Sequence, residues 1–199
     1  MSNENIPFFS SILLLGPPGS GKGSLAKLLD KIGLGIHVST GDIFRRLPKN
    51  SPDEQLFRKS SGKGELFPDK RAIAIFLQHV TTILESKSYQ KNPKPLLLDG
   101  IPRTVAQSRA LEPYLKLQQI ILLEVLDATV LVERINNRAQ LEGRNDDRQQ
   151  ILQSRLKDYE CHIGPILDYY QGQSLLKISA EQPIIHVLKD ALNGLLGQK

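Results

Sequence analysis

The sequence is poor in several features that define large classes of protein. It has one cysteine, Cys161, among its 199 residues, which excludes an internal disulfide framework and a zinc site built from several cysteines. We expect this thiol to be half-buried on a helix. No apolar run approaches the ~20 residues that cross a bilayer, and the beginning, MSNENIPFFSS, lacks the basic segment of a secretory signal. We therefore expect a soluble, cytoplasmic protein that does not bind membranes.

Aromatic residues are scarce, at 6% of the chain, and the net charge is +5. A positive charge favours contact with nucleic acid when it is dense and accompanied by aromatic platforms. Here the basic residues are spread along the chain, and several arginines fall in short motifs. The pattern favours a small phosphorylated ligand and no nucleic-acid partner.

Short apolar runs alternate with helical segments, and 40% of the chain is hydrophobic, enough for one sizeable core in a single domain over residues 1–199. This alternation predicts a doubly wound α/β fold, in which helices cover both faces of a five-stranded parallel sheet in three layers. Residues 41–67 are polar and predict a small helical insertion without a strong core. We expect strands at residues 11–15, 36–39, 96–98, 119–125 and 175–179, a loop at 139–147, and separate helices at about 147–161 and 165–171.

A glycine-rich loop follows the first predicted strand. Residues 16–24 read GPPGSGKGS and precede a helical segment, so the backbone N–H groups of the loop and the helix N-terminus are placed to hold phosphates. Lys22 can reach the β- and γ-phosphates. The alternative, a glycine-rich turn without a ligand, is disfavoured by the strand–loop–helix context. Gly23 stands where the general pattern has a hydroxyl, which leaves magnesium ligation by Ser24 open. The loop predicts a bound nucleoside triphosphate.

Two further polar segments follow predicted strands, at the sheet edge where ligands of such folds bind. Residues 96–107 read LLLDGIPRTVAQ. In this segment Asp99 suits a magnesium shell, directly or through water, and Arg103 offers a planar fork for phosphate oxygens. Residues 37–42 read HVSTGD, and Arg45 follows on what we expect to be the opening turn of a helix.

These motifs, with RAQLEGRNDD at residues 138–147, resemble the nucleoside monophosphate kinases, and the short-lid adenylate kinases in particular. The resemblance extends from Ile12 to about Leu196. It implies a P-loop NTPase-like fold with a monophosphate-binding insertion at residues 39–68 and a short lid at 137–147. The insertion is about one residue shorter than usual. The other departures from the family pattern are Ser24, Leu25, Glu65, Ile101 and the pair His162-Ile163.

The resemblance also implies roles for individual residues. Arg134 stacks on the donor base, Arg138 contacts the donor phosphates, and Arg144 and Arg155 bridge the transferred phosphoryl group. The donor adenine lies against the loop at Gln182. His37 belongs to the motif, but we expect it to be structural. The remaining donor-side residues are Gly19, Ser20, Gly21, Lys22, Gly23 and Ser24. The acceptor-side residues are Thr40, Arg45, Glu65, Leu66, Phe67, Gly100, Arg103, Gln107, Arg144 and Arg155. Catalysis is expected from Lys22, Arg103, Arg138, Arg144 and Arg155.

The implied reaction is a reversible, Mg²⁺-dependent phosphoryl transfer from ATP to AMP that gives two ADP. We expect a monomer without structural zinc, because the long, zinc-bearing form of the lid is absent. Gln107 favours adenine as the acceptor base, and Thr104 stands where pyrimidine-preferring relatives usually have asparagine. A kinase for UMP or CMP remains an alternative, as does a regulatory module that binds nucleotide without catalysis, although the set of phosphate-facing arginines argues against a mere binder.

Overall fold

A parallel β-sheet forms the centre of the computed structural model, which describes residues 8–142 and 149–197. All pairs of neighbouring strands are parallel, and the order is β2-β3-β1-β4-β5. The five strands and the doubly wound architecture confirm the predicted fold. The strands are β1 (Phe9–Leu15), β2 (Ile36–Ser39), β3 (Leu96–Asp99), β4 (Leu115–Glu124) and β5 (Leu175–Ser179).

Helices connect successive strands and cover both faces of the sheet. A short 3-10 turn, Glu112–Tyr114, leads into β4. In the described part of the chain, no helix is both long and apolar enough to span a membrane. The helices are α1 (Lys22–Lys31), α2 (Thr40–Arg45), α3 (Pro52–Ser61), α4 (Asp69–Leu84), α5 (Lys87–Lys91), α6 (Val105–Leu111), α7 (Ala128–Glu142), α8 (Gln149–Tyr169) and α9 (Ile184–Leu196).

The central strands divide their side chains between two cores. On β1, Leu13 and Leu15 pack on one face with residues of α4, α6 and α8, whereas Ile12 and Leu14 pack on the other with α1 and α9. Successive side chains of a strand point to opposite faces, so a continuous apolar run such as ILLL is the pattern of a strand buried on both sides. This burial confirms the three predicted layers.

β4 begins at Leu115, four residues before the predicted strand. Its first half, LKLQ, alternates between half-buried leucines and exposed polar residues, which is the pattern of a strand half-covered by the core. Only the second half of β4 is a continuous apolar run, which is why the sequence predicts a strand in that half alone.

The insertion between β2 and α4 has its own small core, contrary to the sequence prediction. The rings of Phe44, Phe57 and Phe67 form a cluster in which the centroids of Phe44 and Phe67 lie 4.9 Å apart. The three phenylalanines are far apart in sequence and show no common periodicity. Their convergence stabilises a segment that is otherwise polar.

Two predictions about α7 and α8 were wrong. The polar segment from residue 139 was expected to be a loop, but α7 continues to Glu142. α8 is continuous through Pro165, where two helices were expected. Proline removes one helical hydrogen bond, but Ile163, Ile166 and Leu167 pack against the core on either side of it, and this packing sustains the helix. Cys161 lies on α8 as expected, but it is exposed.

Candidate active site

The carboxyl ends of the strands meet at one edge of the sheet, where a cavity of about 710 Å³ opens. This volume lies in the usual range for ligand sites. Several of the segments that line the cavity follow β2, β3, β1 and β5, and others belong to α7 and α8. Neighbouring strands lie ~4.8 Å apart, so the four intervals from β2 to β5 span about 19 Å. The predicted motifs therefore share one elongated site.

The glycine-rich loop leads from β1 into α1. No side chain caps the start of α1, so the N–H groups of its first turn remain available for an anion. A Cβ at Gly19 would lie 3.0 Å from the side chain of Ile135, which packs on the loop from α7. The loop residues from Gly19 to Ser24 all line the cavity.

Lys22 is tied to its own loop. Its Nζ donates to the carbonyl oxygens of Gly16 and Pro17, at 2.7 and 2.8 Å. Burial lowers the pKa of Lys22 to about 7; the carboxylate of Asp99 opposes this shift, and the guanidinium of Arg103 adds to it. Arg155 and Arg138 act in the same direction as Arg103. A cluster of cations that lowers the pKa of its own lysine is an electrostatic site for a polyanion.

Gly23 has a steric reason to lack a side chain. A Cβ at this position would lie 3.2 Å from Oδ2 of Asp99, closer than ordinary van der Waals contact. A side chain at this position would therefore require the carboxylate at the end of β3 to shift by a few tenths of an ångström. Ser24, one residue later, is exposed and lines the cavity.

Asp99 ends β3 beside the phosphate loop. Burial alone would raise the pKa of its carboxyl, but a hydrogen bond with His37 and the charge of Lys22 outweigh burial and lower the pKa below its ordinary value. Asp99 is therefore ionised at neutral pH. Nε2 of His37 lies 3.2 Å from Oδ2 of Asp99, so the histidine that was expected to be structural supports a site residue.

Thr40 and Arg45 contribute to the cavity from the start of the insertion. The hydroxyl of Thr40, which is 2% exposed, donates to the carbonyl oxygen of Gly100 at 3.0 Å. A guanidinium nitrogen of Arg45 donates to Asp42 at 2.6 Å. Arg45 is the last residue of α2, which has only six residues, so the expectation of an opening turn was wrong. Ser39 caps this helix through the N–H group of Asp42.

The segment that closes the insertion lines the cavity with Glu65, Leu66 and Phe67. Phe67 belongs to the aromatic cluster and is 6% exposed. Glu65 is exposed, and its carboxylate lies 4.0 Å from Nζ of Lys63. These positions bring an apolar surface to the part of the cavity beside the insertion, with an acid at its rim.

Arg103 and Gln107 lie after β3. Nε of Arg103 donates to the carbonyl oxygen of Gly100 at 2.8 Å, which holds the exposed guanidinium beside the cavity. The amide of Gln107 is almost fully buried, at 3% exposure, yet it lines the cavity. Its oxygen accepts the N–H of Arg103 at 2.7 Å, and its nitrogen donates to Asp69 at 2.7 Å. Asp69 was absent from the predicted site.

The predicted lid arginines converge where the structure describes them. Arg134 and Arg138 on α7 and Arg155 on α8 all line the cavity. Arg144 lies outside the described residues. At the far end, Gln182 lines the cavity and donates to Asp190 at 2.7 Å. Ala180, Pro183, Ile184 and Val187 form an apolar slot around it.

Sequence reasoning missed a face of α8 that lines the cavity. The side chains of Asp158, Tyr159 and His162 line it together with Arg155 and Ile166. These positions are spaced three or four residues apart, which is the period of one helix face, so the predicted role of Arg155 could have pointed to the others. Burial, followed by the charge of Glu124, raises the pKa of Tyr159 to about 12.

Comparison with known proteins gives concordant matches. The family model "Adenylate kinase" matches residues 14–175. A protein named adenylate kinase from Synechococcus sp. strain WH7803 is 41% identical over 172 residues, which cover 83% of this chain and 86% of the relative. Adenylate kinases from Synechococcus sp. strain CC9311 and Ureaplasma parvum are 35% and 33% identical. These two alignments cover 93% and 94% of this chain, and 97% and 99% of the relatives.

Proposed function

This chain belongs to the adenylate kinase family, and from that premise we propose that it transfers a phosphoryl group reversibly from ATP to AMP, giving two ADP. One observation carries the proposal: the glycine-rich loop and a separate set of arginines, Arg45 and Arg103, line the same cavity. A site with only the loop would bind a triphosphate. The added arginines supply a place for the phosphate of an acceptor.

The donor half lies along β1 and β5. The N–H groups of the loop and Lys22 hold the triphosphate of ATP, with Arg138 on its phosphates. The loss of the carbonyl contacts of Lys22 is compensated by phosphate oxygens, which are stronger acceptors. The donor base lies in the apolar slot at Gln182, with Arg134 stacked on it.

The acceptor half lies along β2 and β3. Arg45 and Arg103 bind the phosphate of AMP, and the base lies among Thr40, Phe67 and Gln107. Gly100 allows Thr40 to lie against this turn, because a Cβ there would lie 2.7 Å from Oγ1 of Thr40. The acceptor phosphate is already an anionic nucleophile, so no general base is required. Glu65 and Leu66 border the base.

The arginines around Lys22 stabilise charge in the transition state. Phosphoryl transfer depends on in-line positioning and electrostatic stabilisation. Arg103, Arg138 and Arg155 all act on the pKa of Lys22 and line the same cavity, which supports the proposal that they converge on the transferred phosphoryl group. Arg144 joins them in this proposal. Exclusion of water protects the donor from hydrolysis.

The residues at the end of β3 fit a magnesium ion. Mg²⁺ is usually held by one or two carboxylates, water and substrate phosphates, and Asp99 offers an ionised carboxylate beside the loop. Asp99, through water, and the hydroxyl of Ser24 would hold the ion. When bound, Mg²⁺ neutralises charge on the donor phosphates.

A turnover assay with a panel of acceptors tests the reaction. The protein is incubated with Mg-ATP and AMP, GMP, CMP, UMP or dTMP, and diphosphate formation is measured. We expect AMP to be preferred. Turnover with UMP or CMP alone would favour the pyrimidine kinase, and ATP binding without turnover would favour the regulatory module.

A substitution tests the division into two halves. Arg103→Ala is expected to reduce transfer by orders of magnitude and to leave ATP affinity near normal. Arg109→Ala is the matched control, since Arg109 is an exposed arginine in the last turn of α6. An equal loss of ATP affinity in Arg103→Ala would contradict an acceptor-side role.

We further propose that the enzyme acts as a monomer in the cytoplasm. The proposal is supported by the described cavity, whose donor and acceptor sides are both built by one chain. Sedimentation at working concentrations with and without nucleotides tests it. A dimer that alone carries activity would contradict it.

A further inference from the structure

The side-chain amide of Gln107 is held by two hydrogen-bond partners, a donor at its oxygen and an acceptor at its nitrogen. Its Oε1 accepts the backbone N–H of Arg103 at 2.7 Å. Its Nε2 donates at 2.7 Å to Oδ1 of Asp69, the first residue of α4. The carboxylate is itself fixed, because the hydroxyl of Thr104 donates to Oδ2 of Asp69 at 2.9 Å. The same hydroxyl accepts the N–H of Gln107 at 3.1 Å.

These partners determine which way the amide points. A glutamine amide can turn by 180°, which exchanges its oxygen and nitrogen at little steric cost. Here an ionised carboxylate only accepts hydrogen bonds and a main-chain N–H only donates. A turned amide would place its oxygen against Asp69 and its NH₂ against the N–H of Arg103. Both contacts would become repulsive, in a buried place where unmade hydrogen bonds are costly.

The fixed amide leaves a defined pattern for a ligand. An amide has two N–H donors and two lone pairs, so one of each remains after Asp69 and Arg103 are satisfied. Adenine presents an amino donor at C6 and an acceptor at N1. A 6-oxopurine presents the reverse, an acceptor at C6 and an N1–H donor. A freely turning amide fits either base, whereas an amide fixed in place presents one pattern.

We propose that Asp69 is a positioning residue that fixes Gln107 and so makes the acceptor site selective for adenine over 6-oxopurines. The inference rests on the proposed function, since it takes Gln107 as the residue that contacts the acceptor base. Asp69 is not among the residues that line the described cavity, whereas Gln107 is. Asp69 therefore acts on the base through Gln107.

The test compares AMP with IMP as acceptor. IMP differs from AMP only in the 6-oxo group and the N1–H. The two bases have nearly the same size, so the comparison reports only on their patterns of hydrogen-bond donors and acceptors. The measured quantity is the ratio of kcat/KM for AMP to kcat/KM for IMP, with Mg-ATP as donor. A hydrogen bond to a charged group biases an equilibrium by about ten- to a hundredfold. We expect Asp69→Ala to lower the ratio by at least about tenfold.

Matched variants separate positioning from folding. Asp69→Asn keeps an oxygen that can accept from Gln107 and is expected to retain part of the selectivity. Asp53→Ala is the control, because Asp53 lies in the first turn of α3 and pairs with Arg71. It is expected to leave the ratio unchanged. Asp69→Ala is expected to change nothing further in a Gln107→Ala background, because Asp69 acts through Gln107.

The outcomes distinguish the inference from the function on which it rests. Wild-type protein that phosphorylates neither AMP nor IMP would refute both. Efficient use of AMP together with an unchanged ratio in Asp69→Ala would refute the inference alone, as would equal use of AMP and IMP by the wild type. A further fall of the ratio in the double variant would also refute it. Should Asp69→Ala fail to fold, as judged by thermal melting, Asp69→Asn carries the same test with a smaller expected fall.

Discussion

Gly64 marks a close contact between the insertion and α8, and its substitution is predicted to weaken both stability and use of the acceptor. Its φ is +73°, and a Cβ there would lie 2.8 Å from the carbonyl oxygen of Ile151 and 2.8 Å from Cβ of Ser154. Contacts begin to be ordinary at 3.4 Å, so the two segments would have to separate by about 0.6 Å. One partner is main chain and cannot simply rotate away.

The expected cost of Gly64→Ala has two parts. The left-handed backbone costs an alanine ~1–2 kcal/mol, and forcing an extra carbon into a packed contact costs ~1–3 kcal/mol. We therefore expect a loss of ~2–5 kcal/mol in the free energy of unfolding. Gly172→Ala is the matched control, because Gly172 has a φ of +86° and nothing within 4 Å of the added Cβ. The free energy of unfolding of Gly172→Ala should fall only by the cost of the left-handed backbone, ~1–2 kcal/mol.

Denaturant unfolding and steady-state kinetics measure the two consequences. α8 carries Arg155 and the insertion carries Arg45. The separation of these two segments in Gly64→Ala is therefore expected to reduce kcat/KM for AMP by about tenfold or more. The KM for ATP should change little. Equal stability of the Gly64 and Gly172 variants, together with unchanged kinetics for AMP, would refute the argument that this contact sets the spacing between the two segments.

Three further substitutions test other parts of the site. Arg45→Ala should raise the KM for AMP at least tenfold, because it removes a guanidinium from the acceptor phosphate. Arg46→Ala is the control and should leave the KM for AMP within about twofold, because Arg46 lines a different and smaller cavity. Equal effects of the two variants would contradict the acceptor role of Arg45. Gly23→Ala should lower kcat with Mg-ATP, because the Cβ would lie 3.2 Å from Oδ2 of Asp99; an unchanged kcat at saturating Mg²⁺ would show that the carboxylate tolerates the contact. Phe44 is 7% exposed, and Phe44→Ala should lower the free energy of unfolding by ~3 kcal/mol or more because it opens the aromatic cluster. A loss below ~1 kcal/mol in denaturant unfolding would contradict a core in the insertion.

The sequence allowed the sheet and the clustering of most candidate residues around one cavity to be predicted, largely for one physical reason. Apolar runs of three to seven residues separated by helical segments lead to parallel strands, and parallel strands bring their carboxyl ends to one edge. The motifs at Lys22, Thr40, Asp99 and Gln182 each follow a strand and therefore had to lie near one another. Strand boundaries were predicted less well, as the early start of β4 shows.

Contacts across long separations could not be predicted. Asp69 and Gln107 are 38 positions apart, and nothing in either segment indicates that a helix start will meet this glutamine. The rings of Phe44, Phe57 and Phe67 are likewise brought together by the fold of the insertion. The continuity of α8 through Pro165 depends on packing that outweighs a local preference. The prediction for Arg144 lies outside the described residues and stays a prediction.

Under the proposed function, the strand order places most of the acceptor side in one continuous part of the chain. β2 and β3 lie together on one side of β1, and the chain forms both of them, with the insertion, before it returns to build β4 and β5. Thr40, Arg45, Phe67, Arg103 and Gln107 therefore belong to one uninterrupted stretch between α1 and β4. A single graft of that stretch from a relative with another acceptor would carry a new preference into the same donor half. Under the proposed function, most of the acceptor contacts would therefore move as one block of sequence with two cut points, whereas Arg155 on α8 would stay with the donor half.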